Sequence, residues 1–160
     1  EALVRAYDAA LSVQEAATAA ARPGAQCRAV WEAALAVADA AGLAAGFMGR
    51  GAGQVPYVGH GIGTSMHMDP NVPNYRVSGK GPKVVEGTTI CIEPMVTLGE
   101  QDNHVLDDQW TVATNDRSRA AHWEHSIAAT SAGLCVLTAI DGGAQRLAAM
   151  GAPFAAIDPA

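Results

Sequence analysis

The fold is decided at residues 88–96, which read TTICIEPMV and follow the turn-like Val85-Glu86-Gly87. A run this rich in β-branched and apolar residues predicts a strand. Three later runs share the strand pattern: 110–114, 122–130 and 134–138. Turns at Asn115-Asp116 and Ala132-Gly133 separate the later runs, and short turns join antiparallel strands. The second half of the chain therefore predicts an antiparallel meander.

The first third of the chain predicts two helices, because residues 1–52 are dense in alanine, the strongest helix former. The first helix carries a stripe made of Leu3, Tyr7, Leu11 and the small residues around them, and Arg22-Pro23-Gly24 ends it. A second stripe leads to Gly42, which suits the end of a helix. Glycine and proline crowd the next segment, so no helix is expected there. Helices kept apart from an antiparallel sheet predict an α+β fold.

Composition excludes several classes of protein. The chain has 160 residues, 49% hydrophobic and 16% charged, which suits one globular domain. Its net charge of −6 argues against direct nucleic-acid binding, which needs a basic surface. No apolar run reaches the roughly 18 residues that span a membrane, and no secretory signal is recognisable. Three scattered cysteines do not form a disulfide framework, so a reducing cytoplasm is the expected location.

His60 is the first candidate for chemistry, since Gly59 and Gly61 flank it and leave its ring open to a metal or a substrate. The alternative is a solvated histidine in a glycine-rich surface loop, which is the commoner case for an isolated G-H-G. His67 follows seven residues later, and that spacing does not fix a shared face. The helical H-E-x-x-H motif of zinc proteases is absent.

Glu93 and Glu124 each lie in an apolar strand pattern. A buried carboxylate must be paired, protonated or bound to a cation, although alternation could equally turn Glu93 to solvent. Two strand carboxylates and a glycine-flanked histidine form an oxygen and nitrogen donor set, which suits Mn, Fe, Co or Zn.

The other polar and aromatic candidates favour structural roles. His104 lies in a polar loop, so a solvated side chain is expected there. His122 and His125 flank Glu124; His125 could orient a ligand, but packing is the favoured interpretation for both. Trp110 and Trp123 are expected in the core. No serine has a nucleophile motif, and no phosphate-binding loop is present.

Three segments in this order resemble the type I methionine aminopeptidases of the pita-bread metallopeptidase superfamily. They are Gly59-His60-Gly61-Ile62-Gly63 with His67 and Pro70, Ile92-Glu93-Pro94-Met95, and Trp110-Thr111-Val112 leading to Trp123-Glu124-His125. The resemblance covers residues 1–138 and implies a partial pita-bread fold, with two helices packed on a curved antiparallel sheet. Residues 139–160 are predicted to be a C-terminal tail with little to hold it in place.

The resemblance also implies roles for individual residues. His60, Glu93 and Glu124 match metal ligands, with Glu124 bridging two divalent ions (Co, Mn, Fe or Zn) and Glu93 acting as a proton shuttle. His67 matches a histidine that contacts the scissile peptide, and Trp110 an aromatic residue at the rim of the site. The implied reaction is hydrolytic removal of the N-terminal methionine from nascent polypeptides, with association with the ribosome as a further expectation. The sequence Trp123-Glu124-His125 favours methionine specificity over prolidase-like specificity.

Two departures from the family pattern qualify these expectations. Met66 and Met68 stand where the family usually has an aromatic residue and a glutamate. The family also has two aspartate ligands on earlier strands, whereas only Asp8 and Asp39, both in helical patterns, precede His60 here. The chain is therefore predicted to be the C-terminal half of such an enzyme, weak or inactive alone, with the missing half or a second copy as its partner. The alternatives are a non-catalytic protein-binding module on the same fold and an Xaa-Pro peptidase.

Overall fold

The computed structural model describes residues 1–48, 57–75 and 77–157, which form three helices and nine strands. The helices are α1 (Ala2–Ala20), α2 (Cys27–Ala40) and α3 (Ala144–Ala149). The strands are β1 (Gly59–Gly61), β2 (Met68–Val72), β3 (Thr89–Ile92), β4 (Met95–Thr97), β5 (Asn103–Val105), β6 (Val112–Thr114), β7 (Ala120–His122), β8 (His125–Ala129) and β9 (Leu134–Val136). Helices and antiparallel sheets in one chain confirm the predicted α+β class.

Helices α1 and α2 confirm the two predicted helices, and Gly24, with a φ of +85°, makes the turn between them. Within the predicted stripe of α1, however, Leu3 and Tyr7 are 60% and 49% exposed. The buried face is made mostly of small residues: Ala6, Ala10, Val13, Gln14, Ala17 and Thr18. Small side chains let α1 approach its neighbours closely, so this face packs and the bulkier residues turn outward.

The main sheet has five strands in the order β2-β1-β3-β8-β9, and every neighbouring pair is antiparallel. Helix α1 packs against β3, and also against β4 and β7 of a separate two-stranded sheet. The core joins the buried helix faces to the sheet through fully buried side chains, among them Val13, Ile90, Ile127 and Leu134. Helix α1 thus packs against the central strand β3, whereas α2 packs against α1 and the edge strand β2.

Two of the predicted strands are each broken in the middle. The run at 88–96 forms β3 and β4, and the run at 122–130 forms the last residue of β7 and then β8. Strand β3 pairs with β8, whereas β4 pairs with β7 in the second sheet. Pro94 has no N–H to donate, so the ladder cannot continue through it. Both segments therefore pass from one sheet to the other at the same place. Glu93 lies in the break of the first segment and Glu124 in the break of the second.

The glycine-rich segment contains two strands that its composition did not predict. Strand β1 is Gly59–Gly61 and pairs with β2 on one side and β3 on the other. A Cβ atom at Gly61 would lie 2.1 Å from the carbonyl oxygen of Asp69, so the pairing depends on glycine there. Gly49, Gly51 and Gly53, which belong to the same glycine-rich segment, lie outside the described residues.

The second two-stranded ribbon pairs β5 with β6 and corrects two predictions. His104 lies in a strand rather than a loop, and its Nδ1 is 2.6 Å from the Asn115 Oδ1. Trp110, expected in the core, is 87% exposed beside the start of β6. It lies in the turn between the two strands, where no second layer covers it. Trp123 does pack against the core, as expected.

Residues 139–157 are better anchored than their composition suggests. Helix α3 buries Leu147 in the core, and Phe154 bridges to Leu134 at the end of the main sheet. Arg146 of α3 also forms a two-pronged ion pair with Glu15 of α1. Among the described residues, no helix combines the length and the apolar character that crossing a membrane would require.

Candidate metal centre

Glu93 is the centre of a cluster of polar side chains at the break between β3 and β4. Its side chain is only 15% exposed, and its Oε1 lies 3.2 Å from the Nε2 of His60. Its Oε2 lies 3.7 Å from the Nε2 of His122. Burial, followed by the nearby Glu124 carboxylate, raises the pKa of Glu93 to about 7, although His60 opposes the shift. His60 therefore offsets only part of what burial and Glu124 cost the charged form of this carboxylate.

His60 occupies the middle of β1 and is buried, which corrects the alternative of a solvated loop histidine. Its Nδ1 lies 2.8 Å from the carbonyl oxygen of Gly61. Because a carbonyl oxygen only accepts hydrogen bonds, we assign the ring hydrogen to Nδ1. In the neutral ring this leaves the Nε2 lone pair directed at Glu93, which is the arrangement that metal-binding histidines use.

Glu124 faces Glu93 because the two pairs of strands keep one register across the break. Ile92 pairs with His125 before the break, and Met95 pairs with His122 after it. No residue is inserted or lost between these pairs, so Glu93 stands opposite Glu124. Donor atoms of Glu93, His122 and Glu124 all lie within 4.8 Å of one another. His60 is not part of that group of three, but it contacts the same Glu93 carboxylate.

His122 is the residue whose position the sequence analysis did not anticipate, since a packing role was favoured for it. It is two residues before Glu124, which puts both side chains on the same face of the extended chain. Burial lowers the pKa of His122, and the nearby Glu124 partly offsets that shift. The register of the strands is the signal that could have identified His122. Because Met95 pairs with His122, His122 lies on the same face as Glu93 and Glu124.

The thiol nearest this cluster does not change its chemistry. Cys91 is fully buried, and its Sγ lies 3.4 Å from the Ser126 Oγ. Burial raises the pKa of the Cys91 thiol, so it stays protonated and is a poor metal ligand. The donor set is therefore one of carboxylate oxygens and imidazole nitrogens, which fits a divalent Mn, Fe, Co or Zn ion. A buried carboxylate with a raised pKa next to two imidazoles is consistent with a cation site.

A cavity of about 720 Å³ opens beside the cluster. Glu93 and His122 form its polar wall, together with His67, whose ring centroid is 4.4 Å from that of His60. The remaining wall is mainly apolar and includes Met48, Met66, Met95, Trp110 and Val112. Trp110 thus lies at the rim of the cavity, and an apolar side chain of moderate length could enter next to the polar cluster.

His125 faces away from this cavity, even though it neighbours Glu124 in the sequence. Its Nδ1 lies 2.7 Å from the Thr138 Oγ1, and its ring packs beside Trp123. Burial lowers the pKa of His125, which is typical of an imidazole held in packing. These contacts agree with the structural role that was favoured for His125.

Comparison with known protein families supports the same chemistry. The model of Metallopeptidase family M24 matches residues 1–131. This chain belongs to that family. The match covers both N-terminal helices and all the residues of the polar cluster, and the M24 family as a whole implies a divalent metal.

Individual relatives of this M24 chain are methionine aminopeptidases. Over 82 residues it is 56% identical to methionine aminopeptidase 1 of Mycobacterium tuberculosis, an alignment covering 51% of this chain and 31% of that protein. Its fold matches the crystal structures of methionine aminopeptidase from Thermotoga maritima (TM-score 0.70, 37% identity) and Rickettsia prowazekii (TM-score 0.72, 29% identity). Each match covers 85% of this chain, and 50% and 52% of those chains respectively. The M24 chain thus spans about half the length of these solved relatives.

Proposed function

We propose that this M24 chain carries the metal-binding and substrate-binding residues of a methionine aminopeptidase, which removes the N-terminal methionine from polypeptides. The observation that carries the proposal is the meeting of Glu93 and Glu124 across the strand break, with the His60 imidazole against Glu93. The relatives named above support the choice of substrate.

In this proposal His60, Glu93 and Glu124 hold one or two divalent ions. A bound cation supplies Lewis-acid chemistry, polarising the scissile carbonyl and acidifying a water molecule. Glu124 is the residue proposed to bridge two ions. Glu93 is the residue proposed to shuttle protons, because its carboxylate lies in the wall of the cavity beside the cluster. It would take the proton of the attacking water and pass it to the leaving amine.

The cavity residues serve the substrate. The apolar wall, which includes Met66 and Trp110, would hold the methionine side chain, and thioether groups adapt readily to such a guest. His67 lies next to His60 and would donate a hydrogen bond to the substrate carbonyl as negative charge develops on it. A cytoplasmic location, with ribosome-borne nascent chains as substrates, belongs to the same proposal.

The test uses the purified 160-residue chain with Mn, Co, Fe or Zn and the peptide Met-Ala-Ser. We expect slow, cation-dependent release of methionine, because only two carboxylates of the described residues reach the cluster. Glu124→Gln should abolish the release, whereas Glu86→Gln, on an exposed turn, should leave it unchanged. Release of methionine that needs no cation, or cation binding that Glu124→Gln leaves unchanged, would contradict the proposal. Preferred cleavage of an Xaa-Pro peptide would favour the Xaa-Pro peptidase instead.

A further inference from the structure

We propose that His122 is itself a metal ligand, so that the cation centre of this chain has two imidazoles and two carboxylates. This inference rests on the proposed function only in taking Glu93 and Glu124 as cation ligands. It adds a residue to the expected set of His60, Glu93 and Glu124.

Strand geometry directs His122 toward the ion. It is the last residue of β7 and pairs with Met95, directly beyond the break that holds Glu93 and Glu124. Residues at alternate positions of paired strands face the same side of the sheet. His122, Glu124 and Glu93 therefore share one face, and two of the three, His122 and Glu93, line the cavity.

The distances fit a site that closes slightly around a cation. The donor atoms of the three residues lie within 4.8 Å of one another, and the Nε2 of His122 is 3.7 Å from the Glu93 Oε2. Ligand atoms held at roughly 2.1 Å from an ion lie roughly 3–4 Å apart. Small side-chain rotations would therefore bring the donor atoms of these three residues to the distances that a shared ion requires. The His122 side chain is 43% exposed, which leaves it free to rotate and leaves the site open to ions from solution.

A second imidazole changes which metal the site prefers. Nitrogen donors favour Co and Zn over Mn, whereas carboxylate oxygens favour Mn. His60 is held in β1 by the hydrogen bond from its Nδ1, so its position is fixed. His122, the more exposed of the two imidazoles, is the donor whose removal should shift the balance between these metals.

The experiment compares the unmodified chain with His122→Gln and with His104→Gln, a matched control in an exposed histidine on β5. Titration with Mn, Co and Zn measures affinity, and pulsed EPR of the Mn-loaded chain counts coupled imidazole nitrogens. For His122→Gln we expect a loss of roughly tenfold or more in Co and Zn affinity, a smaller loss for Mn, and one imidazole coupling fewer. His104→Gln should match the unmodified chain in all three measurements.

Each other outcome has a definite meaning. If His122→Gln keeps its metal affinities within twofold and the same nitrogen count, while Glu124→Gln loses binding, the inference is wrong and the proposed function stands. If no cation binds the unmodified chain, both are wrong. If His122→Gln loses Co affinity but no variant hydrolyses Met-Ala-Ser, the ligand assignment stands without the peptidase. Circular dichroism of each variant, compared with Glu124→Gln, separates loss of a ligand from loss of the fold.

Discussion

Glu93 is the residue at which the structure makes its sharpest prediction about pH. Its pKa of about 7 lies well above the usual value of about 4.5, so between these values the folded chain holds a proton that the unfolded chain has released. The stabilising effect of that proton is fully present below about pH 4.5 and is lost as the pH rises through about 7. In the presence of a chelator, Glu93→Gln should remove this loss of stability with rising pH. Between about pH 5 and pH 8, the free energy of unfolding of Glu93→Gln should rise by roughly 2 kcal/mol relative to that of the unmodified chain.

Chemical unfolding at several pH values measures the effect, with Glu86→Gln as the exposed control. If the free energy of unfolding of Glu93→Gln and of the unmodified chain changed with pH in the same way, Glu93 would not have a raised pKa in the folded chain. Added Zn or Mn at about pH 8 should stabilise the unmodified chain, because a cation that binds the folded state replaces the lost proton.

His67 gives a second prediction at this scale, one that separates substrate contact from metal binding. If His67 donates to the substrate carbonyl, His67→Ala should lower kcat roughly 100-fold while leaving Co affinity within about threefold. Steady-state hydrolysis of Met-Ala-Ser and a parallel Co titration provide the two readouts. A loss of Co affinity as large as that of His60→Ala would instead make His67 a ligand.

The sequence predicted His60, Glu93 and Glu124 because each stands out locally, either between glycines or in an apolar run. His122 could not be found in this way, since an exposed histidine beside an alanine has no local signature. Its role depends on the register between β4 and β7, which is a property of two distant segments. Trp110 was misplaced for the related reason that an aromatic residue in an alternating run does not reveal whether a second layer covers it.

Strand β1 shows how an element can depend on the absence of side chains. A Cβ at Gly61 would meet the backbone of Asp69 at 2.1 Å, whereas a Cβ at Gly63 would meet only the Met68 Sδ at 3.4 Å. Gly61→Ala should therefore force β1 and β2 apart, destabilise the chain by about 1–3 kcal/mol, and move His60 away from Glu93. Gly63→Ala is the matched control and should change stability by less than about 1 kcal/mol.

Thermal unfolding and Co titration of both variants test this element. Equal stability and equal Co affinity in Gly61→Ala would show that β1 does not hold His60 in place. The glycines also explain a limit of the sequence analysis. Gly59 and Gly61 indicated a loop because glycine weakens strands in general, but here it is what lets three strands lie close together.

Breaks within strands were the other feature that local patterns missed. Residues 88–96 carry one uninterrupted strand signal, so a single strand was the natural prediction. Pro94 and the change of partner from β8 to β7 divide it, and only the pairing shows that the division creates a site. The two N-terminal helices and the turn between them were predicted, since alanine content and Arg22-Pro23-Gly24 are local signals.

Across the whole molecule, the C-terminal segment links the two ends of the described chain. The α3 helix contributes Leu147 to the core, and Arg146 reaches across to Glu15 of α1. These contacts could not be predicted from the sequence, because residues 139–160 are rich in small residues and their partners lie more than a hundred positions earlier. The proposed metal centre lies at the break between β3 and β4, and no described residue of α3 belongs to it.

This separation leads to a final prediction, that the C-terminal helix stabilises the fold without tuning the metal site. Leu147 is fully buried, so Leu147→Ala should cost about 2–4 kcal/mol by opening a cavity between α3 and the core. Gln145→Ala, at an exposed position of the same helix, should change stability by less than about 0.5 kcal/mol. Under conditions in which both variants stay folded, Co affinity should match that of the unmodified chain. A Leu147→Ala variant that keeps full stability would show that α3 is not packed into the core. One that loses Co affinity while still folded would show that the packing of α3 reaches the strand break.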